Sequence, residues 1–357
     1  MKIVGWLVTR MILARFFLLV GGISIFVATL DAVTYAEDIL ENNDNDVGAV
    51  FYYMALKLPL GLSTFLPISS LLAILLTLSE LSYRNELSAI WGAGVSSLRL
   101  MTALLPLGLL LGGLHFMIND QAIPRVSPIL HDWGIGDYGE KKMKLGERDP
   151  IWMRAGADII RAKEASAGAT RLDDVVIFRR DANGVLTEQI LADQADLLND
   201  RWQLSNAVVY YRSNLPPSRV ERLIYSGSMR PAAVGARSGD PEEMTSADLR
   251  YFIDNNGFGI RPAYVYNTWW NKRLTLFFSA FLMLAICVPL ATRFQRGRGI
   301  AVFLATGVGI GFSFFVLDST TLTLGEIGLV PAWMAAWTPI LAFCAVAGTL
   351  VFRAETL

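Results

Sequence analysis

The chain is poor in the residues from which most chemical sites are built. Two cysteines and two histidines occur in 357 residues. Cys287 and Cys344 both fall inside apolar runs, where cysteine behaves as a small hydrophobe, so neither a disulfide framework nor a metal site is indicated. His115 and His131 belong to no H-E-x-x-H motif and to no Ser or Cys nucleophile pattern; a structural or interfacial role is expected of each. There is no Gly-Lys pair, which excludes a phosphate-cradling P-loop, so any ATP-driven work must come from a partner. Net charge is -1, with basic and acidic residues interspersed, and no basic stripe is offered to nucleic acid. The acidic run Asn42, Asp44, Asp46, Gly48 has its glycine one place late for a calcium-binding EF-hand, and Tyr53 stands where the closing glutamate would be.

What is abundant is apolar surface. Hydrophobic residues make up 53% of the chain and mean hydropathy is +0.42, too apolar for one soluble enzyme of this length. The excess is concentrated in residues 1–120 and 268–357, whereas the middle holds most of the charge. Six apolar segments, 11–34, 51–78, 98–118, 274–292, 300–322 and 331–352, approach the ~20 residues a helix needs to cross the hydrocarbon core. The run 12–30 is long for the apolar core of a cleavable signal, which favours an uncleaved anchor. The expected fold is a polytopic α-helical membrane protein of six transmembrane helices with an inserted β domain. Its divisions are 1–123, 124–267 and 268–357.

Orientation follows from where short connections carry Lys and Arg. Lys2, Arg10 and Arg15 lie at the N-terminus, Arg84 and Arg99 between spans two and three, Arg293, Arg296 and Arg298 between spans four and five, and Arg353 at the C-terminus. The alternate connections carry acids instead: Glu37, Asp38, Glu41, Asp44 and Asp46 in one, Glu326 in the other. Both termini are therefore expected in the cytoplasm, and the middle segment outside. Arg296-Gly297-Arg298-Gly299 reads as a tight cytoplasmic turn that could touch anionic headgroups.

The middle segment is β-rich. Val175, Val176, Ile177 and Phe178 form one run, Asn183-Gly184 is a hairpin signal, and further short runs follow at about ten-residue spacing, which suggests a sandwich or jelly roll. A helix is expected over 244–255, capped by Thr245 or Ser246.

Two sets of residues stand out as candidate sites. The polar interruption 80–97 reads as a surface helix between spans two and three, with Tyr83, Leu87, Ile90 and Trp91 on one face and Arg84 and Glu86 flanking it. Lys57, Lys272 and Arg273 lie near outer span ends, where burying a charge in lipid costs at least about 2–3 kcal/mol unless it faces protein or water. They could line a cavity that grips an anionic headgroup, or simply snorkel; Asp31, Asp120 and Asp318 lie at the same level.

Two stretches are distinctive, K-L-P-L-G-L-S-T-F-L-P-I-S-S-L-L-A at 57–73 and L-S-Y-R-N-E-L-S-A-I-W-G-A-G-V-S at 81–96. Through them and its three-plus-three arrangement of spans about a β insert, the whole chain resembles the LptF/LptG permeases of the lipopolysaccharide-export ABC transporter. Trp202, Leu204, Asn206 and Ala207 are similar to a strand pattern of jellyroll domains in that export bridge, and 325–339 resembles the LptG branch. The resemblance implies a non-catalytic subunit that pairs with a second homologous six-span permease and sits above a cytoplasmic ABC ATPase dimer. That ATPase would bind ATP and Mg, with no cofactor in this chain. Lipopolysaccharide would be drawn from the inner membrane into periplasmic jellyroll bridge proteins. Glu86 matches the acidic position of the family's coupling helix, where Tyr83, Leu87, Ile90 and Trp91 would supply apolar contact; Trp91-Gly92 departs from the pattern there. Lys57 is the lipid-binding cation that transfers best, while Lys272 and Arg273 follow by position. Two other classes remain: a membrane-anchored periplasmic sensor or scaffold, and a lipid-modifying enzyme, for which no nucleophile or metal constellation is found.

Overall fold

The computed structural model describes residues 2–41, 46–136, 138, 151–155, 157–165, 171–181, 184–198, 201–212, 215–226, 240–254, 261–293 and 299–355. Asp44, Asn183 and the Arg296–Arg298 turn lie outside the described residues. The chain divides into two units, one formed by Met1–Ile123 with Thr268–Leu357 and the other by Pro124–Asn267.

The first unit is helical because long Leu, Ile and Phe runs in lipid must satisfy every backbone group internally, and a helix does so within one segment. Its elements are α1 (Lys2–Thr34), α2 (Ala36–Glu41), α3 (Val47–Tyr83), α4 (Glu86–Gly92) and α5 (Ser97–Met117), which runs into a π-helical turn (Ile118–Ala122); α6 (Ile123–Trp133) continues the chain and belongs to the second unit from Pro124 onward. After the β unit come α8 (Ala263–Arg293), α9 (Gly299–Glu326) and α10 (Ala332–Glu355), α7 being assigned below. Six of these helical stretches are long and apolar enough to cross a membrane. Several exceed the apolar runs: the 37 residues of α3 span about 55 Å, against about 30 Å of hydrocarbon.

Within the unit α8 is the central helix, with 78% of its apolar window buried, and α9 is peripheral at 17%. α5 and α8 touch at Gly112, where an added Cβ would sit 2.2 Å from the Phe277 carbonyl oxygen, so only glycine permits that crossing. One apolar cluster joins Ile12 and Phe16 of α1, Ile74 and Leu78 of α3, Leu104 of α5 and Leu284 of α8. The outward surface is equally apolar: Trp6, Leu18 and Phe26 of α1 and Phe312 and Phe315 of α9 are all exposed.

Among the described residues the second unit holds six strands, β1 (Ile151–Ala155), β2 (Asp158–Ala165), β3 (Arg171–Arg180), β4 (Leu186–Leu198), β5 (Arg201–Tyr211) and β6 (Ser218–Tyr225). Each pairs antiparallel with its sequence neighbour, in the order β1-β2-β3-β4-β5-β6, so the expected layers are parts of one continuous sheet. The chain reverses between β3 and β4 with Gly184 at φ +78° and Asp181 Oδ1 accepting the Val185 N–H at 2.8 Å.

A crease crosses this sheet. In β3 the buried positions run Leu172, then Val175 to Ile177, with Val175 and Ile177 fully buried and Val176 at 8%; in β4 Ile190 and Ala192, then Ala195; in β5 Trp202 and Leu204, then Ala207 and Val209. Alternation therefore slips by one residue in each strand, and the slips fall in a single row. Pairing steps from Ala162↔Val175 to Glu164↔Asp173, from Val175↔Ala192 to Asp173↔Gln194, from Leu191↔Val208 to Gln194↔Ser205, and from Ala207↔Val220 to Ser205↔Arg222. Asp174 (φ 49°) and Asn206 (φ 53°) in that row take the left-handed conformation that Asp and Asn adopt most readily among side-chain-bearing residues, and the Asn206 amide donates to Asp193 Oδ2 at 2.9 Å. Both panels contribute to one apolar cluster that includes Ile160, Val175, Ile190, Trp202 and Leu204. At its margin the Tyr225 hydroxyl donates to Asp158 at 2.7 Å, and burial, reinforced by that bond, raises its pKa above the ordinary tyrosine value.

Short elements of the same unit pair with one another. His131 of α6 meets Glu243 of a one-turn 3-10 helix at 2.8 Å, and Arg261 pairs with Asp240 at 2.7 Å. The expected helix appears as α7 (Ser246–Asp254), where Thr245 Oγ1 accepts the Asp248 N–H and Asp248 accepts in return from the Thr245 N–H.

Candidate docking turn and ion-pair layer

Two places in the helical unit collect the residues singled out from sequence. The first is the turn from α3 to α4. α3 ends at Tyr83, with the Arg84 N–H donating to the Glu80 carbonyl at 2.9 Å. Asn85 then adopts φ 59°, ψ 8°, a left-handed step that ends one helix and starts another. α4 is only seven residues long; Gly94 at φ +78° follows it, and Ser96 caps α5 by accepting the Arg99 N–H. The single surface helix expected over 80–97 is thus corrected to the last turn of α3, the short α4 and the cap of α5, because Asn85 and Gly94 break the helical period.

The break redistributes the expected apolar face. Tyr83 is 78% exposed whereas Leu87 is fully buried in the shared cluster. Trp91 packs half-buried against that cluster and Ile90 is half-buried, while Arg84, Asn85 and Glu86 are exposed. Leu87 and Trp91 therefore seat α4 on its own protein, and the outward surface is Tyr83, Arg84 and Glu86.

The second place is a layer of ion pairs. Lys57 of α3 lies 2.9 Å from Asp31 of α1, with its ammonium 5.6 Å from the centre of the Tyr53 ring; the Tyr53 hydroxyl also donates to Asp31, at 2.8 Å. Lys272 of α8 donates to both carboxylate oxygens of Asp318 on α9. Arg273, 1% exposed, donates to the Asn119 carbonyl at 2.6 Å and to Asp120 at 3.4 Å. Neither an open cation site nor a snorkelling side chain describes these three. In a low-dielectric interior each takes a carboxylate from a neighbouring helix. Asn119 and Asp120 belong to the π-helical turn, whose widened hydrogen-bonding pattern leaves a carbonyl for Arg273.

Sequence reasoning found the cations and the acids but not their pairing, since no spacing rule links residues 46 or 153 positions apart. It also missed Arg15 of α1, which is bonded to Glu80 of α3. No group of three or more His, Cys, Asp or Glu able to hold a metal occurs among the described residues.

A unit with an apolar outer surface, paired charges inside it and an inserted β sheet is the build of a multi-pass membrane protein. The family model for the lipopolysaccharide export system permease LptF/LptG matches residues 6–353, and this chain belongs to that family. Among curated relatives, the lipopolysaccharide export system permease protein LptG of Haemophilus influenzae is 22% identical over 316 residues, covering 86% of this chain and 87% of that protein. The protein of the same name from Escherichia coli K12 is 21% identical over 309 residues, 84% of each.

Proposed function

We propose that this chain is the LptG-side membrane subunit of an ATP-driven lipopolysaccharide exporter and carries no catalysis of its own. A cytoplasmic ABC ATPase dimer docks on the α3–α4 turn, with Glu86, Tyr83 and Arg84 as the contact and Ile90 at its margin. Leu87 and Trp91 pass the displacement inward to α1, α3 and α5. A second, homologous six-span permease completes the cavity. ATP and Mg are held by the ATPase, both termini of this chain are cytoplasmic, and the β unit stands in the periplasm. It hands lipid to jellyroll bridge proteins, its panels receiving acyl chains at about 0.8 kcal/mol per buried CH2.

Lys57 and Lys272 take lipid phosphates by exchanging Asp31 and Asp318 for them. Arg273, nearly fully buried, holds α8 to the π-helical turn instead. The observation that carries the reading is the α3–α4 turn: exposed polar residues in front, the fully buried Leu87 behind. In the purified three-component complex, Glu86→Arg is expected to leave the permeases paired while weakening ATPase retention about thirtyfold, the size of an interface hot spot. Undiminished ATPase binding and export by that variant would reject the docking site.

A further inference from the structure

We infer that Glu80 is a positioning residue that ties α1 to the docking turn, so that movement of α4 is transmitted to α1 through an ion-pair bridge as well as through apolar packing. The inference rests on the docking reading above and adds a residue to it. Glu80 lies one turn before the end of α3 and uses its two carboxylate oxygens for two different arginines. Oε2 accepts from Arg15 in the middle of α1, and Oε1 lies 2.6 Å from Arg84, the residue that caps α3 and leads into α4. One carboxylate therefore spans from the docking turn to a helix 65 residues earlier in the chain.

Three observations favour a mechanical role over simple charge neutralisation. First, among the described residues Arg15 bonds to no other group, and its Nη1 is buried without a partner, so the charge on α1 depends on this one carboxylate. Second, the Glu80 side chain is 29% exposed and that of Arg15 27%, so the arm to α1 is partly shielded, whereas Arg84, 61% exposed, puts the other arm on the exposed turn. Third, Leu87 of α4 and Ile12 and Phe16 of α1 belong to one apolar cluster, so the two helices the bridge joins also share a core. Packing resists compression but slides under shear; a two-armed ion pair resists sliding. The combination makes α1 follow the turn in both directions.

The test uses the full complex of this chain, its partner permease and the ATPase in proteoliposomes loaded with lipopolysaccharide. Transfer to an external acceptor and ATP hydrolysis are measured together. Glu80→Gln is expected to preserve assembly and ATPase retention but to lower lipopolysaccharide transferred per ATP hydrolysed about fivefold, the low end of inter-site coupling. Arg15→Gln should reproduce the uncoupling, and Arg15→Lys, which keeps the charge, should recover most of it. An unchanged transfer-to-hydrolysis ratio in Glu80→Gln overturns the proposal. So does a lower yield of complex with that ratio intact, which marks a merely structural bridge. Failure of the docking reading itself would appear elsewhere, as full ATPase retention in Glu86→Arg.

Discussion

The two units place their polar residues in opposite ways. In the helical unit the outside is apolar, with Trp6, Phe26 and Phe312 exposed, and charge is drawn inward into Lys57–Asp31, Lys272–Asp318 and Arg273–Asp120. In the β unit the core cluster is Ile160, Val175, Trp202 and their neighbours, and Asp174, Asp193 and Asn206 lie exposed along the crease. Each arrangement fits a solvent: lipid outside the first, water outside the second. The difference teaches that an ion pair in this chain has a worth set by its unit.

Substitutions can break or sharpen that contrast. The largest loss is expected from Trp202→Ala in the β unit, where a fully buried indole leaves a cavity costing about 3–5 kcal/mol; loss of cooperative near-ultraviolet unfolding signal would report it. Next is Asp120→Ala, which leaves Arg273 buried with the Asn119 carbonyl but without its carboxylate, at about 3 kcal/mol in a detergent melt. Asn206→Val forces a β-branched residue into left-handed backbone and should cost about 1–2 kcal/mol, whereas Asn206→Gly should be nearly neutral. Smallest is Arg179→Gln, which removes a partly exposed pair with Glu188 worth under about 1 kcal/mol. Should Asp120→Ala prove as mild as Arg179→Gln, the interior of the helical unit would have to be wet and the contrast would fail.

Hydropathy alone made the six spans legible, because a lipid-crossing helix has a length and a composition that few other segments share. The existence of the β insert was legible too. Its crease was not: Asp174 and Asn206 looked like ordinary polar positions in strands, and only the slip of burial from Leu172 to Val175 and from Leu204 to Ala207 reveals their task. The pattern Trp202, Leu204, Asn206, Ala207 contained the signal, two inward positions, a turn-prone residue, then an inward position one step out of phase. At the α3–α4 turn, helical periodicity alone runs through Asn85 and puts Leu87 on the outward face, whereas the left-handed Asn85 turns it inward. By its place in the sequence Glu80 starts a surface helix, and the long-range partner that gives it significance, Arg15, lies on another span.

The crease has a topological consequence. Among the described strands β1 and β6 do not pair with each other, so the creased sheet is open, with those strands as its two edges, and not a closed ring. On the proposed reading, an acyl chain taken by the panels leaves sideways past an open edge without being threaded, and a polymer attached to it trails outside at any length. On that reading the domain need only be as large as the part of the lipid that shuns water.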